Sequence, residues 1–222
     1  MDSLAPKLAR IFIDPRRWKK LVPHIKLYAK NIFVYRSLST NLNSLNYWNK
    51  KLSDRGSSWR IHPYEHLISI LPKEQAYSIL DIGCGLGDGV IFLKEQFPKL
   101  RLEGLDFSDV GIKVARTKSG AITWHNLDIL RASIPDTYDY ILIIRTLEHF
   151  DNPFIVLDKC LQATRKSVII NVPYDRSSNS RIYGVTEHRY HFDKSTFSDY
   201  KCRDVRIVDD GKSIIYVIDS DS

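Results

Sequence analysis

Tyr77-Ser-Ile-Leu-Asp-Ile-Gly-Cys-Gly-Leu-Gly-Asp-Gly-Val-Ile-Phe-Leu93 decides how the rest of the chain is read. Ser78 to Ile82 is a short apolar run with one acid, Asp81, near its end, and such a run reads as a buried parallel strand. Glycines then alternate with other residues at Gly83, Gly85, Gly87 and Gly89. An amphipathic run follows to Phe97, where Pro98 closes it as a helix. Strand, glycine turn and helix in that order bring main chain against a nucleotide-like ligand, because no Cβ stands in the way.

Spacing selects among such ligands. A dinucleotide fingerprint needs a third glycine three positions after the second, and Asp88 holds that position. A carboxylate there opposes a pyrophosphate at the helix N-terminus. Asp81, beside the turn, favours a cation over a phosphate. The pattern Asp81-x-Gly83-x-Gly85-x-Gly87 resembles the first motif of the class I S-adenosylmethionine-dependent methyltransferases. The resemblance implies S-adenosyl-L-methionine as cofactor, a ligand with a sulfonium, an ammonium and no phosphate. It places Asp81, Gly83, Cys84, Gly85 and Gly87 at the cofactor, with Cys84 read as a small turn residue rather than a nucleophile. The implied fold is α/β: a doubly wound, seven-stranded, mostly parallel sheet with a terminal antiparallel hairpin, Rossmann-like, plus an N-terminal helical extension.

Later segments extend the resemblance over residues 47–218. Arg101 to Asp106 reads as the second strand, and Asp106 follows Gly85 by 21 residues. An acid so placed accepts hydrogen bonds from both ribose hydroxyls in a nucleoside-binding unit of this type. Asp106-Phe107-Ser108 matches the family's second motif, with Ser108 the better placed cap for a helix from Asp109 to Lys118. Ala121 to Asn126 is a third strand. The resemblance then implies that Asp128 reaches the adenine amino group, helped by the backbone N–H of Ile129. Tyr138 to Ile144 is the most apolar stretch and reads as a central strand. It leads past Thr146, counted with the cofactor residues, to Asn152 as N-cap and Pro153 as first helical residue. The Leu147-Glu-His149 run before Asp-Asn-Pro153 resembles the small-molecule, methyltransferase type 11-like branch, in which this loop lies beside the transferable methyl.

Ser167 to Val172 is the fifth strand. Asn171-Val-Pro-Tyr174 departs in position and in its second residue from the Asn-Pro-Pro-Tyr motif of amino-methylating nucleic-acid enzymes, which weighs against that branch. Val205 to Val208 and Ser213 to Ile218 flank Asp209-Asp-Gly211, a hairpin signal. His62 to Leu71 reads as a helix feeding the first strand, and Asp193 as the cap of a short helix through Tyr200.

A hydroxyl acceptor must lose its proton, and a positioned His accelerates that step. His149, after the fourth strand, is the first candidate base; a structural histidine bonded to loop backbone is the alternative. His188 and His191, within Thr186-Glu-His-Arg-Tyr-His-Phe-Asp193, are second candidates. Lacking a third spaced ligand, they do not point to a metal. A carbon or free-amine acceptor needs no base.

Composition sets the remaining bounds. The 222 residues suit one α/β domain with an appendage. Residues 1–60 carry 13 of the 33 Lys and Arg but three of the 26 Asp and Glu, leaving 20 basic against 23 acidic residues beyond. The domain expectation is therefore a basic, partly helical extension over residues 1–46 and a methyltransferase domain over 47–222. Ile25, Tyr28, Ala29, Ile32 and Phe33 fall at helical spacing, which suits either a membrane surface or acidic partner, or packing on the domain. No apolar run approaches the roughly 20 residues that span a bilayer. Three scattered cysteines fit a reducing cytoplasm. The expected activity is methyl transfer to oxygen of a small-molecule, sugar or lipid-linked acceptor, in the cytoplasm and possible also at a membrane periphery. RNA or protein methylation anchored by the basic segment, and a non-catalytic scaffold, are the alternatives. The three acids Asp81, Asp106 and Asp128 weigh against a scaffold.

Overall fold

The computed structural model describes residues 43–54, 61–73, 76–174 and 188–221. Residues from Leu45 on belong to one compact unit. The basic extension expected over 1–46 lies outside the described residues up to position 42, and so do Thr186 and Glu187.

Helix α1 spans Leu45–Asp54, and α2 spans His62–Glu65, continued by a 3₁₀ turn over His66–Ser69. Strand β1 (Ser78–Ile82), helix α3 (Asp88–Gln96), strand β2 (Arg101–Asp106), helix α4 (Asp109–Lys118) and strand β3 (Thr123–Asn126) follow. Then come β4 (Tyr138–Ile144), a 3₁₀ turn over Leu147–His149, α5 (Pro153–Gln162), β5 (Thr164–Pro173), β6 (Cys202–Val208) and β7 (Ser213–Asp219). The strands form one sheet in the order β3-β2-β1-β4-β5-β7-β6. β7 runs antiparallel to both β5 and β6, and the other pairings are parallel.

Continuous apolar strands are what a sheet covered on both faces requires. Along β4, Tyr140, Leu142 and Ile144 enter one core with Tyr64, Leu67, Val90, Leu93, Ile112 and Ala115 of α2, α3, α4 and their flanks. Ile141 and Ile143 enter the other, with Val156, Leu157 and Cys160 of α5. The local signals hold where caps fix them. Ser108 Oγ accepts the Gly111 amide at 3.0 Å at the start of α4. Asn152 Oδ1 accepts the Phe154 amide at 3.1 Å ahead of Pro153.

Three segments differ from the sequence expectation. The lead-in helix tightens to 3₁₀ geometry after Glu65, as helix ends do when the chain must turn. The residues after Asp193 form successive turns rather than an α-helix, with Asp193 Oδ1 accepting the Ser195 amide at 2.8 Å. The β6–β7 connection is a left-handed turn over Asp209–Gly211 with φ of 55°, 52° and 82°, not a two-residue Asp-Gly turn. Tertiary bonds to the Asp209 carboxylate set that geometry, as described below. Among the described residues, no helix is long and apolar enough to cross a membrane.

Candidate active site

The glycine turn sits at the carboxyl ends of β1 and β2, where open parallel sheets bind ligands. Gly83 and Cys84 both donate their amides to the Leu105 carbonyl, at 2.7 and 3.2 Å. Asp106 Oδ2 accepts the Gly85 amide at 2.9 Å, and its Oδ1 accepts the Ser108 amide at 2.8 Å. Each oxygen keeps a second lone pair for a hydroxyl donor. Burial holds the Asp106 pKa above its ordinary value, and these amide bonds pull it back.

The four glycines do different work. A Cβ on Gly83 would strike the Thr146 side chain, and one on Gly89 the Tyr64 ring. At Gly87 it would lie 2.6 Å from Trp124 Cη2. Gly85 alone of the four is open, its nearest neighbour being Leu52 Cδ2 at 3.7 Å. The cradle a ligand could fill is therefore over Gly85, roofed by α1. Helix α1 is docked by Asn49, whose Oδ1 accepts from Ser108 Oγ at 2.5 Å and whose Nδ2 donates to Asp109 Oδ1 at 2.6 Å.

Asp81 lies buried beneath Tyr64, whose hydroxyl donates to Oδ2 at 2.7 Å. Its Oδ1 is buried without a hydrogen-bond partner among the described residues. Burial, with the Asp106 charge adding to it, pushes Asp81 up to about 8 against the pull of the Tyr64 hydrogen bond. Among the described residues neither Asp81 nor Asp106 is ion-paired with Lys or Arg. Two neighbouring buried acids without a cation suit a positively charged ligand, so these residues fit S-adenosyl-L-methionine. Asp88 is ion-paired with Lys118 at 2.7 Å. Its charge is thus balanced, and the case against a pyrophosphate rests on the missing glycine.

The remaining expected cofactor residues fall around the same rim. Cys84 is buried against Gly104, and its thiol is pushed well up by burial; only its main chain faces the turn's bonding. Phe107 follows Asp106, and its carbonyl accepts from Asn126 Nδ2 at 3.0 Å. Asp128 is half-exposed, its Oδ1 accepting the Leu130 amide at 2.9 Å, while Ile129 is buried. Thr146 Oγ1 donates to the Ile144 carbonyl at 3.0 Å.

His149 lies between Trp48 and His188, with ring centroids 4.8 and 5.2 Å away. His188 Nε2 is 4.0 Å from Oε1 of Glu148, which is buried. The Glu148 carbonyl accepts the Arg189 and Tyr190 amides at 2.7 and 3.2 Å, which docks this segment on the loop after β4. Glu148, His149 and His188 thus supply three clustered donors, where the sequence showed His188 no third partner. His191 is outside that group. Sequence reading missed Tyr64, Asn49 and Glu148 as site residues; only the Leu-Glu-His run hinted at the last.

Taken together, fold and site define a doubly wound α/β domain built for a cationic nucleoside ligand. Residues 80–168 match the methyltransferase domain family. Malonyl-[acyl-carrier protein] O-methyltransferase of Bacillus cereus is 31% identical over 102 residues, which are 43% of this chain and 38% of that protein. Trans-aconitate 2-methyltransferase of Paracidovorax citrulli is 32% identical over 82 residues, 37% of this chain and 32% of that protein. The chain thus spans under two fifths of the length of these curated relatives. A S-adenosylmethionine-dependent methyltransferase from Aquifex aeolicus superposes with a TM-score of 0.62 at 16% identity, covering 77% of this chain and 97% of that one. Magnesium protoporphyrin IX methyltransferase from Synechocystis PCC 6803, solved with bound SAH, gives 0.58 at 13%, covering 81% and 96%. At such identities the structural likeness is one of fold. Over residues 80–168 the chain is similar to a methyltransferase domain, and its described residues take the fold of the class I S-adenosylmethionine-dependent methyltransferases.

Proposed function

We propose that this chain transfers a methyl group from S-adenosyl-L-methionine to a hydroxyl oxygen of a small-molecule acceptor. The observation that carries the reading is the open cradle over Gly85, pinned to Asp106 and lying near the unpaired acid Asp81. Relatives named as methyltransferases of malonyl-[acyl-carrier protein] and trans-aconitate, and an N-methyltransferase of (S)-tetrahydroprotoberberine, support a small-molecule acceptor, while the choice of a hydroxyl rests on His149 alone.

The cofactor supplies a methyl already activated by its positive sulfur. The chain supplies geometry and proton handling. Asp106 grips the ribose hydroxyls with its remaining lone pairs, Asp81 takes the ammonium, and Asp128 with the Ile129 amide meets the adenine edge. Trp48 and Leu52 of α1 cover the crevice and exclude water. Alignment of acceptor with methyl is worth roughly 7–11 kcal/mol. His149 takes the hydroxyl proton, worth about 10²–10⁴-fold, and the Glu148 carboxylate lies within 4.8 Å of the one imidazolium that results. His191 is a second-line base on sequence grounds alone.

A methyl-transfer screen with labelled cofactor across phenolic, carboxylate, glycan, lipid and RNA acceptors tests the reading, repeated with His149→Ala. Transfer to a hydroxyl that drops by at least about 10²-fold supports it. Undiminished transfer removes His149 as base. Failure of the purified chain to bind S-adenosyl-L-methionine or SAH at all overturns the function.

A further inference from the structure

A second constellation lies where α2 meets the β6–β7 turn. His62 and His66 are four residues apart, so their rings share one side of the lead-in. The Nε2 atoms of both approach one oxygen, Asp209 Oδ1, at 2.8 and 2.7 Å. All three donor atoms lie within 4.8 Å of one another.

The surroundings are those of a ligand set. Glu65 Oε2 lies 2.8 Å from His62 Nδ1. A carboxylate on one ring nitrogen fixes the tautomer, so that the other presents its lone pair. The second oxygen of Asp209 is held separately, by Ser213 Oγ and by Arg145 Nη2 at 3.4 Å. Ligating carboxylates are oriented by outer hydrogen bonds in this manner. Asp209 and Asp210 both adopt positive φ, 55° and 52°, a conformation costly for non-glycine residues. The turn thus keeps a strained backbone while aiming Oδ1 at two imidazoles.

With Glu65 on the Nδ1 side of His62, the Nε2 atoms of both imidazoles and Asp209 Oδ1 converge on one point. We propose that His62, His66 and Asp209 bind one divalent cation of the zinc class, with water in the fourth position. Two imidazole nitrogens and a carboxylate oxygen suit zinc rather than magnesium or calcium. Tetrahedral bonds of about 2.0–2.1 Å require donor separations of about 3.3 Å, so an opening of about half an ångström at both Nε2–Oδ1 contacts admits the ion. His62 is 63% exposed, which gives the ion an entry path and the fourth position its water. The Arg145 charge behind the carboxylate opposes the ion, and Glu65 offsets it. The site joins α2 to the hairpin turn and is independent of the methyl-transfer reading.

The full chain, stripped with a chelator, is titrated with zinc chloride against a chromogenic chelator and followed by thermal melting. Cobalt(II) then reports coordination through its visible absorption. The expected result is a zinc equivalent that raises Tm and that disappears in the double variant H62Q/H66Q, with each single variant weakening binding at least about tenfold. Cooperative melting of the single variants confirms that they fold. The Glu148, His149 and His188 group provides an internal comparison, through H188Q. No zinc-dependent rise in Tm, or a zinc count that the histidine substitutions leave unchanged, overturns the proposal. A count lost in H188Q instead does the same.

Discussion

Asp106 Oδ2 reaches back 21 residues to hold the Gly85 amide at 2.9 Å. The parallel register that sets Ile82 opposite Leu105 makes this reach possible, because it brings the ends of β1 and β2 level. The acid expected to bind ribose is therefore also the peg that shapes the turn. A turn shaped before its ligand arrives spares the ligand the cost of ordering it.

Replacing that acid tests both roles. Asp106→Asn puts an amide NH₂ against one of two backbone N–H donors. An unsatisfied buried donor costs about 1–3 kcal/mol, so the midpoint of denaturant unfolding falls accordingly. SAH affinity, measured by calorimetry, falls at least about tenfold. Unchanged affinity with lowered stability would confine Asp106 to the structural role.

Asp81 gives the site a pH dependence whose sign is fixed. Its native value of about 8 lies above the roughly 3.9 of an unfolded aspartate. Between those values the native state holds a proton that the unfolded state has released, so stability falls as pH rises. The decline begins above about pH 4 and levels off above about pH 8. Asp81→Asn removes this contribution, and the difference in Tm between wild type and variant, measured without cofactor from about pH 5 to 9, widens in the variant's favour. Tyr64→Phe deletes the bond that lowers the Asp81 value, so its cost grows toward alkaline pH. A cationic ligand that needs the carboxylate ionised binds more tightly as pH rises toward 8, by at most about tenfold per unit. Parallel Tm profiles would end this account of Asp81.

The roof is separable from the floor. Asn49 bridges α1 to Ser108 and Asp109, and α1 carries Trp48 and Leu52 over the crevice. Asn49→Ala is expected to weaken SAH binding several-fold through a faster off-rate, seen in stopped-flow fluorescence. Wild-type dissociation in the variant would mean that α1 does not cover the ligand.

What was legible in the sequence was local chemistry. β2 and α4 begin and end where the strand acid Asp106, the cap Ser108 and the last residue Lys118 mark them. The doubly wound, seven-stranded sheet with its terminal antiparallel hairpin is the one the resemblance implied. What stayed hidden depends on contacts across the chain. The Asp-Gly pair at 210–211 signals a tight turn, yet His62 and His66, some 140 residues earlier, help to fix Asp209. Glu148 meets His188 only because residues 189 and 190 dock on its carbonyl. The alternating glycines looked like one ligand-binding device, since sequence cannot show that Tyr64, Thr146 and Trp124 fill the space beside three of them.

That division of labour predicts opposite outcomes for neighbouring substitutions. Both Gly85 and Gly87 have positive φ, 55° and 82°, so alanine at either incurs about 1–2 kcal/mol of backbone strain. At Gly87 the added methyl also meets Trp124 at 2.6 Å and Ala115 Cβ at 2.9 Å. Overpacking adds about 1–3 kcal/mol, so Gly87→Ala lowers stability the more, with SAH affinity in the folded fraction less affected. At Gly85 the methyl meets only Leu52 at 3.7 Å and stands in the cradle itself. Gly85→Ala therefore melts nearer to wild type but loses SAH binding by at least about tenfold. Melting curves and calorimetry on the two variants decide the matter: if Gly85→Ala binds SAH as wild type does, the ligand does not lie over Gly85, because a methyl group there cannot share its space.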